Sequence, residues 1–192
     1  MNSFYRLIAR SLTLGRIAAT FPFVYLLLQT PSEPHRQQGV VLGLAFLAIA
    51  GSDLMDGFFA RLARSASHSW GQLDALADIL FNTSSLLVAV WLGLMGIWVP
   101  IGVVVLAGFF IRKNRQPEGV SPMRLSEDRL GKAAGVTYYL LVGAAVWGIW
   151  MGTETARMIV WWLGNLVFAY TSFVLLRNWI TGRHRPFDVS RH

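Results

Sequence analysis

Four aspartates, Asp53, Asp56, Asp74 and Asp78, stand within or at the edge of stretches apolar enough to cross a bilayer, and nothing else in the chain narrows its fold as much. A charged side chain at membrane depth costs roughly 2.5–3.5 kcal/mol on insertion scales, so such carboxylates require a cation, a watery cavity or protein partners. Their spacing supplies a geometry. Residues three and four apart share a helix face, which pairs Asp53 with Asp56 on one helix and Asp74 with Asp78 on another. Two facing helices would make one carboxylate cage, and a ligand set of oxygen alone suits magnesium, manganese or calcium.

The rest of the chain sets the cage in lipid. Of 192 residues, 54% are hydrophobic and eight are tryptophan, a membrane composition. Each helical span takes about 20 apolar residues, and the pattern predicts six: about 12–29, 39–61, 70–93, 97–111, 130–151 and 156–180. These occupy most of the chain, which therefore reads as a single membrane domain, 1–192. Before the first span, Met1 to Ser11 sets Phe4, Tyr5, Leu7 and Ile8 beside Arg6 and Arg10, a basic amphipathic stretch that predicts a short interfacial helix. A cleaved signal peptide is the rival reading, but Gln-Thr-Pro-Ser after the apolar run is a poor cleavage site. The expected fold is all-α and polytopic, with six transmembrane helices plus that N-terminal helix. Turns are expected around Gly96 and at Gly152-Thr-Glu154-Thr. Without cysteine there are no disulfides and no thiolate metal ligands.

Orientation follows from the cations. With the N-terminus cytoplasmic, every one of the seventeen Lys and Arg except Arg36 and Arg157 falls inside. The aspartates then open to the cytoplasm, since they lie late in the second span and early in the third. The net charge of +7 reads as a topology signal that also suits anionic headgroups and phosphate substrates, and it is a poor argument for nucleic-acid binding. Trp91, Trp98, Trp150, Trp161, Trp162 and Trp179 lie near span ends, as interface anchors do.

The residues from Asp53 to Asp78 follow the pattern D-x2-D-G-x2-A-R-x8-G-x3-D-x3-D at Asp53, Asp56, Gly57, Ala60, Arg61, Asp74 and Asp78. In this the chain resembles the CDP-alcohol phosphotransferases (CDP-alcohol phosphatidyltransferases), integral membrane enzymes of phospholipid synthesis. It departs from the pattern at one place: Trp70 stands where the second glycine is expected, and the glycine follows at Gly71. Weaker similarities extend the resemblance to nearly the whole chain, namely Thr13-Leu-Gly-Arg16 in the first span and Arg129-Leu-Gly131-Lys132 opening the fifth helix.

The resemblance implies transfer of a phosphatidyl group from CDP-diacylglycerol or a similar CDP-alcohol to an acceptor hydroxyl, with release of CMP. It implies Asp53, Asp56, Asp74 and Asp78 as ligands of divalent metal, Mg2+ or Mn2+ and two ions, with Asp78 also the general base. Asp53, Gly57, Ala60, Arg61 and Gly71 would hold the CDP pyrophosphate: Gly57 by close backbone approach, Arg61 by paired hydrogen bonds. Lys132, with Arg112, Arg115, Arg124 and Arg129, would suit an acceptor phosphate or would merely enforce topology. A homodimer in the bacterial inner (plasma) membrane, with both termini and the active site cytoplasmic, completes the expectation.

Blander readings stand beside these. The aspartates would be structural if ion-paired with Arg61 or Arg64. Gly131-x3-Gly135 and Gly148-x3-Gly152 are packing patterns more often than catalytic ones, and His35, His68, His184 and His192 have no ligand spacing. A cation transporter would explain intramembrane carboxylates but not Gly57, Ala60 and Arg61, and Trp70 alone favours a catalytically degenerate member that binds nucleotide or assembles with partners. The acceptor is not legible. Ile79 stands where phosphatidylglycerol-phosphate-forming members often have lysine, and Phe81-Asn82 matches the serine-transferring members' Phe-Gly poorly. The basic loops tilt the reading slightly toward glycerol 3-phosphate.

Overall fold

The computed structural model describes residues 2–30, 36–62, 68–114 and 129–183. These form six α-helices: α1 (Asn2–Leu28), α2 (Arg36–Leu62), α3 (His68–Trp91), α4 (Trp98–Asn114), α5 (Arg129–Met151) and α6 (Glu154–Arg183). All but α4 contain a segment long and apolar enough to cross a membrane, and the apolar part of α4, Trp98–Ile111, is shorter. The protein is an integral membrane protein built from helices, the secondary structure that satisfies its own backbone in lipid.

The N-terminal stretch is not a separate interfacial helix. It runs without a break into the first span, so α1 is one helix of 27 residues. No glycine or proline separates Ser11 from Leu12, and a helix already nucleated propagates at little cost. Pro22 lies inside α1; its missing N–H and ring clash are tolerated where neighbouring helices support the segment.

The helices close a ring in the order α1, α2, α5, α6, α4, α3 and back to α1, with α3 also touching α5 across the middle. The core is rich in small and branched side chains, among them Leu42, Leu86, Val99, Ala134, Val142, Val160 and Val174. Large apolar residues on the outside, such as Phe21, Leu44, Leu140 and Leu166, are exposed to what would be lipid. That inversion is expected when the solvent is itself apolar. Trp91 and Trp162 are exposed near helix ends, as anchors at the interface should be.

Two tight turns fix the pairing. The bend after α3 is set at Gly93, earlier than Gly96. Its φ of 72° allows a Schellman closure in which Leu94 N–H donates to Ala89 O and Gly93 N–H to Val90 O, both at 2.9 Å. Arg157 Nη2 donates to Leu92 O at 3.0 Å, tying the start of α6 to the end of α3. After α5, Gly152 has φ 62°, and Thr153 Oγ1 caps α6 by accepting from Ala156 N–H at 3.2 Å.

The small-residue patterns divide. A Cβ on Gly148 would come within 2.7 Å of Val160 Cγ2, so this glycine lets α5 and α6 approach closely, whereas one on Gly135 would meet nothing within 4 Å. Gly152 serves the turn instead.

Candidate active site

The site begins on α1. Thr13, Arg16, Thr20, Phe23 and Leu27 recur at three and four residues and are all buried, so they form one stripe facing the bundle. Its N-terminal half is polar. Thr20 Oγ1 donates to the Arg16 carbonyl at 2.9 Å, a local bond that leaves the stripe's polarity inside the helix. The Arg16 side chain is completely buried.

Around that guanidinium gather three carboxylates from two other helices. Arg16 Nη1 lies 2.7 Å from Asp53 Oδ1 of α2, and Nη2 lies 3.3 Å from Asp74 Oδ1 of α3. Nη1 also pairs closely with Asp78 Oδ1, one turn further along α3. Thr13 Oγ1 donates to Asp74 Oδ1 at 3.4 Å, and Tyr139 OH, from α5, donates to Asp78 Oδ1 at 2.9 Å. Below this layer the rings of Phe23 and Phe81, and of Phe81 and Tyr139, stand 5.3 Å apart. These rings form an apolar cluster next to the carboxylates. Asn82, buried in the turn after Asp78, donates its amide to the Asp78 carbonyl at 2.9 Å.

The cage joins two helices, Asp53 from α2 with Asp74 and Asp78 from α3, and a third helix enters it. Along the described residues α2 packs on α1 and α5, and α1 lies against both α2 and α3, so its arginine bridges them. The cation found beside the aspartates is Arg16; the side chain of Arg61, and Arg64 altogether, lie outside the described residues. Among the described residues, three carboxylates against one guanidinium leave two net negative charges, a surplus that one divalent ion would match. Ligand oxygens of Asp53, Asp74 and Asp78 all lie within 4.8 Å of one another. All three residues are only partly buried, so the set is reachable from solvent.

Other expected site residues are placed only in part. Asp56, Gly57, Ala60 and Arg61 lie on α2, Gly71 on α3, Arg112 on α4, and Arg129 and Lys132 on α5, but their side chains lie outside the described residues. Arg115 and Arg124 lie outside them altogether. Sequence reasoning gave no site role to Thr13, Arg16 or Tyr139. Arg16 had a readable signal, a cation inside an apolar span on one face with Thr13 and Thr20. Tyr139 had none, because an aromatic residue in an apolar helix is ordinary core.

The family model for CDP-alcohol phosphatidyltransferases matches residues 6–173. The chain belongs to the CDP-alcohol phosphatidyltransferase family. The match takes in Arg16, all four motif aspartates and Tyr139, which are the residues the bundle gathers or was expected to gather. No curated protein is detectably similar to the chain, and no solved structure is either. CDP-alcohol phosphatidyltransferases are membrane transferases of phospholipid synthesis that move a phosphatidyl group from a CDP-alcohol to an alcohol, and they are generally metal-dependent. The donor set fits such an ion. It is oxygen-only, anionic and convergent, as a hard divalent cation requires.

Proposed function

We propose that this CDP-alcohol phosphatidyltransferase takes CDP-diacylglycerol, or a closely related CDP-alcohol, as donor and a small alcohol as acceptor, with a slight preference of the reading for glycerol 3-phosphate. The observation that carries it is the convergence of Asp53, Asp74 and Asp78 at the end of the bundle where the motif predicts a site. Asp53, Asp56, Asp74 and Asp78 would hold Mg2+ or Mn2+, two ions in all, whose positive charge offsets that of the donor diphosphate. Gly57, Ala60, Arg61 and Gly71 would receive the nucleotide and its pyrophosphate. Lys132, Arg112, Arg115, Arg124 and Arg129 would suit the acceptor's phosphate.

The step is an in-line displacement. The acceptor oxygen bonds to the phosphorus that carries the lipid, the bond from that phosphorus to the CMP oxygen breaks, and CMP leaves with the electron pair. Asp78 takes the acceptor's hydroxyl proton. Tyr139 and Arg16 fix one of its oxygens by hydrogen bonding, which orients the carboxylate for that transfer.

The one-sided distribution of Lys and Arg supports a cytoplasmic site with both termini inside; a bacterial inner-membrane location and a homodimer, the latter an inference from the family, complete the proposal. The test is CMP release from CDP-diacylglycerol by purified protein, with a panel of alcohols and with Mg2+, Mn2+ or excess EDTA. Turnover that needs the ion and one acceptor is expected. CMP binding without turnover on any acceptor would point instead to a degenerate, nucleotide-binding member. Ion flux into vesicles without CMP release would point to a transporter. Chemical crosslinking in native membranes checks the dimer, and a protein that crosslinks to no second copy would contradict it.

A further inference from the structure

Contacts from Arg16, Thr13 and Tyr139 reach Oδ1 atoms of the carboxylates: of Asp53 and Asp78 from Arg16 Nη1, of Asp74 from Arg16 Nη2 and Thr13, and of Asp78 again from Tyr139. Burial is one-sided. The Arg16 side chain is 0% exposed, whereas those of Asp53, Asp74 and Asp78 are 28%, 39% and 33% exposed. The guanidinium thus lies beneath the carboxylates, sealed from solvent, and the carboxylates form the surface above it.

We infer that Arg16, with Thr13 and Tyr139, is a fixed positioning floor for the metal cage: it holds one oxygen of each of Asp53, Asp74 and Asp78 and turns the other toward the mouth, where the ion binds. This rests on the metal reading above and adds residues from α1 and α5 to it. The physical case has two parts. A planar guanidinium presents several N–H groups in a rigid fork, so a single side chain can gather carboxylates from two helices. A carboxylate pinned at one oxygen loses its rotational freedom before the ion arrives, which raises the affinity of the other oxygen for it; hydrogen-bond partners of this kind typically account for 10–100-fold in metal affinity.

A competing arrangement is that Arg16 is a placeholder expelled when an ion enters. The burial argues against it. A fully enclosed guanidinium has no solvent-facing route out, and leaving would strand its own charge in the bundle.

Substitution at constant charge separates the two. Arg16→Lys keeps the cation but replaces the fork with a compact ammonium that cannot reach three carboxylates at once. Protein in detergent, stripped of metal, is titrated with Mn2+ and the free ion read by electron paramagnetic resonance. The floor predicts that Arg16→Lys binds Mn2+ 10–100-fold more weakly. Equal or tighter binding overturns it, as an expelled placeholder would give. Should Arg16→Lys fail to fold by circular dichroism, Tyr139→Phe carries the test, since it deletes only the O–H that reaches Asp78. It should bind Mn2+ at least about threefold more weakly with an unchanged melting temperature in EDTA, a split that a packing role would not produce, and unchanged affinity again overturns the inference. Wild-type protein that bound no Mn2+ would remove the metal reading and the floor together. Normal Mn2+ behaviour with no CMP release would remove the proposed reaction and leave the floor standing.

Discussion

Asp74 and Asp78 look interchangeable in the motif, but their surroundings differ, and Asp→Asn at each should separate them. Asp78 Oδ1 is pinned from two sides, by Arg16 and by Tyr139 OH at 2.9 Å. An asparagine there keeps a carbonyl oxygen to accept both bonds, so the local geometry survives while the ability to take a proton is gone. General-base catalysis contributes 10²–10⁴-fold, so Asp78→Asn should lower the rate of CMP release by about 10²-fold or more, or about 2.7 kcal/mol of barrier, with donor binding retained. Asp74 is held less firmly, by contacts of 3.3 Å to Arg16 and 3.4 Å to Thr13, and is the most exposed of the three. Asp74→Asn should chiefly remove one charge from the ion's ligand set, so raising Mg2+ should restore much of its rate. The assay is CMP release as a function of Mg2+, alongside equilibrium binding of a CDP-lipid. If added Mg2+ rescued both variants equally, or if neither bound donor, the division of roles would be wrong and the aspartates would be one undivided cage.

Excess EDTA should abolish CMP release and added Mg2+ or Mn2+ should restore it; strong activity in EDTA would refute metal dependence. Phe81 is wholly enclosed between Phe23 and Tyr139, and Phe81→Ala should cost about 3–5 kcal/mol of stability, read by denaturant unfolding in detergent; a loss near zero would show that the cluster collapses freely. Gly93→Ala meets only ordinary contact, with Arg157 Nη2 at 3.5 Å from the new Cβ, so its expected cost of about 1–2 kcal/mol is the left-handed backbone alone. A melting temperature equal to that of the wild type would contradict that cause. Removing the Arg16 charge with Arg16→Met should cost about 3–5 kcal/mol at most, nearer the lower figure because the carboxylates are partly solvated, and Mg2+ should recover part of the lost melting temperature.

The sequence by itself determined which segments are helical and where the acids lie along them. The cost of an unpaired peptide group in lipid leaves a long apolar run little choice but helix, and every predicted span corresponds to a helix. The same local rule put Asp74 and Asp78 on one face. The amphipathic start of the chain, where the local signal was weak, continues into α1; within the turn expected around Gly96, Gly93 is the residue that takes the left-handed conformation. Helix neighbours are another matter. Arg16 and Asp78 are 62 residues apart in the chain, and Tyr139 and Asp78 are 61 apart. No periodicity within one helix encodes such meetings, because which helices touch depends on the fit of side-chain surfaces along all of them at once. Only the tertiary structure decided that α1 would lie between α2 and α3, and with that it decided that the cation beneath the aspartates is Arg16.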